Sequence, residues 1–158
     1  MKPGDRLVCA LIETAHVGAT FRDWPLHVTI VPWFRISTES ENLTITLREA
    51  IGDIPAFKAK IVKENVYFGH QKNKRASLIG QPSPFTAIET RIRRLLHTYG
   101  AWIVDESTKL RREYTPHVTV QQSQGLSTGD TFWCHQLYII EQKGGHKRIA
   151  GLVGLRND

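Results

Sequence analysis

The sequence predicts an α+β fold of two lobes related by a pseudo-twofold, with antiparallel sheets forming a central groove and helices on the outside. Three observations carry this expectation. The tripeptide His-Val-Thr occurs twice, at 27–29 and 117–119, each time in a short β-branched run next to proline. Two strand-like pairs joined by polar turns lie at 57–79 and 132–155. Each half of the chain also offers one motif strand, one helical segment and one hairpin, although their order differs between the halves.

In chain order, Arg6 to Ile12 is an apolar run of strand length, expected to be central and buried on both faces. A loop over 13–23 leads into Pro25-Leu26-His27-Val28-Thr29-Ile30. That strand points on toward Trp33 and Phe34, with Pro32 expected to end or bulge it, since proline removes a ladder donor. Ser37 and Thr38 are candidate caps for a helix reaching about Ile51, with Leu43, Leu47, Ala50 and Ile54 as its stripe; Thr44-Ile45-Thr46 locally favours strand. A strand at 57–68, a polar connection at 69–75 and a partner beginning at Ser77 form the first hairpin. Ser83 as cap, Pro84 at the first helical position and Gly100 as stop frame the next helix. Its buried side is predicted to hold Phe85, Ile88, Ile92, Leu95, Leu96 and Tyr99. A charged loop at 105–113 precedes the second motif strand, and a polar loop at 123–130 follows it. Strands at 132–141 and 148–155, joined through 142–147, close the sheet. No linker or low-complexity stretch divides the chain, so residues 1–158 are expected to form one domain.

Composition narrows the partners. With 41% hydrophobic and 23% charged residues among 158, the chain has a globular profile large enough for a core without staples. No apolar run reaches membrane-spanning length and the polar start shows no signal peptide, so no membrane partner is expected. Cys9 and Cys134 sit inside apolar strand patterns and are expected to be reduced and buried, which points to the cytoplasm. A formal charge of +6 favours anionic partners. Lys72, Lys74 and Arg75 cluster in the expected hairpin turn, within reach of a polynucleotide backbone. Arg91, Arg93 and Arg94 read as a solvated helix face, and Lys109, Arg111 and Arg112 form a third group.

The paired tripeptides carry the chemistry. Random placement of seven histidines and fourteen threonines would yield about 0.6 His-x-Thr triplets, so the identity and shared frame of the two are what matter. In a strand, residues i and i+2 share a face, so each motif presents one imidazole and one hydroxyl together. Side by side, the strands would bring His27, Thr29, His117 and Thr119 to one spot, a set suited to a phosphodiester. Histidine, with an unperturbed pKa near 6.5, can serve as acid or base, and the two hydroxyls can donate to phosphate oxygens. The scheme needs no cofactor and no metal, and no Cys-x-x-Cys or His-Glu-x-x-His spacing is present.

These residues resemble the two-histidine phosphoesterase superfamily, in its 2′-5′ RNA ligase or 2′,3′-cyclic phosphodiesterase branch. The resemblance spans nearly the whole chain: 6–10 looks like the family's opening strand, and Tyr114-Thr115-Pro116-His117-Val118-Thr119 is close to its second signature. It implies a metal-independent phosphodiesterase acting on RNA or nucleotides, with His27 as general acid, His117 as base, and Thr29 and Thr119 holding the phosphate. A monomer is expected. Two departures stand out. Gln122 occupies the position, five after the second histidine, where many relatives carry a basic residue; Pro32 occupies that of an aromatic after the first. The alternatives are a non-catalytic RNA- or nucleotide-binding module stacking bases on Trp33 or Phe34, and a phosphodiesterase for cyclic oligonucleotide signals. Loops 14–23, 69–76 and 123–130 are expected to set specificity.

Overall fold

Six successive buried residues, Arg6–Leu11, form strand β1 near the middle of the sheet. The computed structural model describes residues 1–69, 72–104 and 113–157. Among them are ten strands: β1, β2 (Thr20–Phe21), β3 (His27–Arg35), β4 (Phe57–Phe68), β5 (Lys74–Ile79), β6 (Trp102–Ile103), β7 (His117–Thr119), β8 (Thr131–Cys134), β9 (Gln136–Gln142) and β10 (Lys147–Gly154). They form an antiparallel sheet in the order β2-β10-β9-β1-β3-β7-β5-β4-β8, with β6 paired to β3. Helices α1 (Ser40–Ile51) and α2 (Pro84–Thr98) complete the α+β fold. The motif strands β3 and β7 are hydrogen-bonded neighbours, so the two halves of the sheet meet at the two motifs, side by side as expected.

Both helices lie on one face of the sheet. Leu43, Leu47 and Ile51 of α1 and Phe85, Ile88, Ile92 and Leu96 of α2 share a core with Val8, Ala10, Val28 and Val118. The other face has a smaller cluster of Leu7, Cys9, Leu11, Trp33, Tyr138 and Ile140, covered by Ala15, Ala19, Phe21 and Trp24 of the segment between β1 and β3. Such two-sided burial explains the unbroken apolar pattern of β1. Cys9 and Cys134 are free and buried, and burial pushes both thiols up, Cys134 to about 12.

Several boundaries differ from expectation for identifiable reasons. β3 runs through Pro32 to Arg35, but its register against β1 shifts there: Val31 and Phe34 face Val8 and Arg6, three steps against two. α1 starts after Glu39, and neither Ser37 nor Thr38 caps it. Thr44 and Thr46 stay helical by donating to the carbonyls of Ser40 and Asn42 one turn back. α2 follows the expected signals, with the Ser83 hydroxyl accepting from Phe85 N–H and Gly100 in the left-handed region at φ 75°. Tyr99 is exposed, not part of the buried stripe. The single strand expected at 132–141 is two: β8 pairs with β4 and β9 with β1 and β10, so the chain changes neighbours at His135. β5 begins at Lys74, earlier than Ser77. Most of the loop expected at 105–113, including Lys109, Arg111 and Arg112, lies outside the described residues, as does His70 of the hairpin connection. Among the described residues no helix is long and apolar enough to cross a membrane.

Candidate active site

Where β3 meets β7, Val28 lies directly opposite Val118. Both valines point into the helix-side core. Antiparallel pairing therefore sets His27 opposite Thr119 and Thr29 opposite His117, all four on the face away from the helices. The arrangement has a local twofold through the valine pair. All four residues singled out from the sequence come together.

Each imidazole is held in the same way. His27 Nδ1–H donates to the carbonyl of Pro25 (2.8 Å) and His117 Nδ1–H to that of Thr115 (2.7 Å). A carbonyl can only accept, so both rings carry the Nδ1 proton and leave Nε2 as the nitrogen open to substrate. Each ring is also stacked on an aromatic: His27 on Trp24 (centroids 4.3 Å, 29°) and His117 on Phe68 (4.1 Å, 8°). A proline within two residues upstream of each histidine and the strand geometry were visible in sequence. The stacking partners were not, because Phe68 comes from a strand 49 positions away and reaches His117 only through β5.

The surroundings are apolar. Leu11 and Cys9 stand opposite His27 and Thr29 in β1; Leu78 and Ala76 stand opposite His117 and Thr119 in β5. His27 is 9% exposed. Burial pushes both imidazoles below their usual value, more than the carbonyl hydrogen bonds raise them. The charge of His117 further lowers His27, and that of Lys74 lowers both. Lys74 lies opposite Phe68, two residues from Ala76, and so projects from the imidazole face. Its neighbour Arg75 projects from the other face, splitting the basic cluster read from the sequence. The Thr29 and Thr119 hydroxyls have no protein partner among the described residues. Behind them, the buried Tyr114 hydroxyl donates to the Thr29 carbonyl (2.8 Å) and fixes that turn of backbone to the segment entering β7.

Two expectations are corrected, and one departure from the family pattern is located. Trp33 (8% exposed) and Phe34 (0%) are core residues and offer no platform for a base. Gln122 is exposed in a turn with positive φ, and the cation acting on both imidazoles is Lys74 instead. Loop 123–130 packs away from the imidazoles: Ser77 donates to the Leu126 carbonyl, and Thr128 N–H to Glu64. Among the described residues no three His, Cys, Asp or Glu side chains gather as a metal-ligand set.

An antiparallel sheet with two helices on one face and a twofold pair of His-x-Thr strands on the other is the architecture of a two-histidine phosphoesterase. The chain belongs to the 2′-5′ RNA ligase superfamily, whose family model matches residues 6–138. Among solved structures, E. coli LigT complexed with 3′-AMP shares the fold with a TM-score of 0.59 at 14% identity, covering 98% of this chain and 99% of that one. A Thermus thermophilus protein matches with a TM-score of 0.61 at 14% identity, over 98% and 99% of the two chains. E. coli LigT complexed with NADP+ matches with a TM-score of 0.56 at 14% identity, over 99% and 96%. No curated protein matches by sequence.

Proposed function

We propose that the protein is a metal-independent phosphodiesterase that opens 2′,3′-cyclic phosphate ends of RNA or cuts 2′-5′ linkages. The observation that carries this reading is the mirrored pair of imidazoles on adjacent strands, each with Nδ1 tied to a carbonyl and Nε2 left for substrate. One Nε2 takes a proton from the attacking water as the new P–O bond forms. The other, protonated, gives its proton to the ribose oxygen as the old P–O bond breaks, leaving a phosphomonoester and a free hydroxyl. Thr29 and Thr119 donate to the non-bridging oxygens, and the exposed Lys74 ammonium offsets part of their charge. With a second chain's ribose hydroxyl in place of water as nucleophile, the same two proton transfers would join two ends; water in excess favours hydrolysis.

Both rings favour the neutral form in the free protein, so the acid gains its proton in the complex, where the phosphodiester anion stabilises an imidazolium. The family resemblance gives the acid role to His27 and the base role to His117. A leaving group with sulfur in place of the ribose oxygen needs no proton and should largely restore His27→Ala but not His117→Ala; the opposite pattern reverses the roles. That E. coli LigT has been crystallised with 3′-AMP and with NADP+ supports a nucleotide as ligand. The test is turnover of a 2′,3′-cyclic nucleotide in the presence of EDTA. Binding without turnover would identify a nucleotide-binding module instead.

A further inference from the structure

Outward from His117, the imidazole face continues over the strands at the β8 edge. In the β4–β8 pair, Lys58 lies opposite Trp133 and Lys60 opposite Thr131, alternating with Ala59 opposite Phe132. Ala59 and Phe132 are buried in the helix-side core, so Lys58, Lys60 and Trp133 project from the same face as the imidazoles. Lys63 joins them through its register with Leu78, itself opposite His117. The three lysines are exposed. Trp133 is 52% exposed, and its ring stacks with that of His135 (5.5 Å, 12°).

Charge on this side is one-sided. β4, β5, β7 and β8 together contain a single acid, Glu64, which accepts from Thr128 N–H and lines a cleft with Arg75 and Ser77 on the opposite face. Among the described residues none of Lys58, Lys60, Lys63 and Lys74 forms an ion pair. The other half of the imidazole face is closed by the segment between β1 and β3. Two strand spacings, about 10 Å, separate β7 from β4, and five residues from Lys63 to Lys58 add about 17 Å, a run that accommodates several nucleotides. Spaced ammonium groups ending at an exposed aromatic match a single strand, with phosphates on the cations and a base on the ring. The apolar core of a protein-docking patch is lacking.

We propose that this face is a track for single-stranded RNA: the strand whose terminal phosphodiester sits between His27 and His117 runs out over Lys63, Lys60 and Lys58 and stacks a base on Trp133. The identity of the end in the site rests on the phosphodiesterase reading; the affinity of the track does not depend on turnover. Binding of a fluorescent single-stranded RNA, measured by anisotropy at several salt concentrations, tests it with Lys58→Glu/Lys60→Glu and with Trp133→Ala. The double variant should bind at least about tenfold more weakly, with a salt slope shallower by about 0.7 for each phosphate no longer neutralised. Trp133→Ala should lose about fivefold or more. Turnover of a cyclic mononucleotide should be unchanged in both. Unchanged RNA affinity in both variants, or tighter binding of duplex RNA or of an acidic peptide than of the single strand, would overturn the track. If RNA binds through this face but no cyclic end is opened, the track stands and the phosphodiesterase reading falls.

Discussion

The stacked aromatic beneath each imidazole has a measurable consequence, sharpest at Phe68 and His117. The Nδ1–H bond to Thr115 fixes one corner of the imidazole, and the near-parallel Phe68 ring, 4.1 Å away, fixes its plane. Phe68→Leu keeps apolar cover but removes the flat partner, leaving the ring free to swing about its hydrogen bond and carry Nε2 away from phosphorus. An aromatic stack is worth about 0.5–1.5 kcal/mol, so loss of this restraint should lower kcat about 2- to 13-fold. A displacement approaching 1 Å sets the upper bound, near 10²-fold. Phe68 sits half-buried at the end of β4, outside both cores, so the melting temperature should barely move. The assay is kcat on a 2′,3′-cyclic mononucleotide, with the His117 ring-proton shifts recorded in parallel. The reasoning is refuted if kcat stays within twofold of the parent while those shifts show that the stack is gone. Phe68→Tyr should behave like the parent.

Further outcomes follow from the same geometry. Both imidazoles have folded-state pKa values below 6.5, so the unfolded chain binds their protons first and stability falls as pH drops below about 6.5. Chemical denaturation across that range should show the slope, and His27→Asn/His117→Asn should flatten it. Lys74→Met removes a charge that lowers both rings, so the acid limb of the pH–rate profile should move to higher pH while KM rises. At the α1–β10 contact, a Cβ on Gly151 would strike the Thr44 hydroxyl and lie 3.2 Å from Ile139 Cδ1. Gly151→Ala should therefore cost about 1–3 kcal/mol in denaturant unfolding, and Thr44→Ala in the same chain should recover part of it.

Sequence legibility followed the range of the interactions. Period-two placement of His27 with Thr29 and of His117 with Thr119, and the capping signals around α2, are local and were readable directly. The break at His135 was not read because Phe132 to Glu141 is mostly apolar and aromatic, interrupted only by His135-Gln136; pairing with β4 on one side and β1 on the other divides it. Trp33 and Phe34 looked like base-stacking candidates because each face of β3 is apolar for its own reason, one toward the helices and one toward the smaller cluster. Lys74 was recognised as basic, but its placement beside the imidazoles depends on the β5–β7 register, which one chain's residue order does not encode locally. The Phe68 stack likewise depends on pairing across three strands.

Turnover of a single 2′,3′-cyclic phosphate substrate by the parent, His27→Ala, His117→Ala and the double variant bears most directly on the joint action of the two rings. If both imidazoles serve one transition state, each single change should cost about 10²–10⁴-fold and the double little more than the worse single. Costs that multiply as independent factors, or full activity in either single variant, would contradict it.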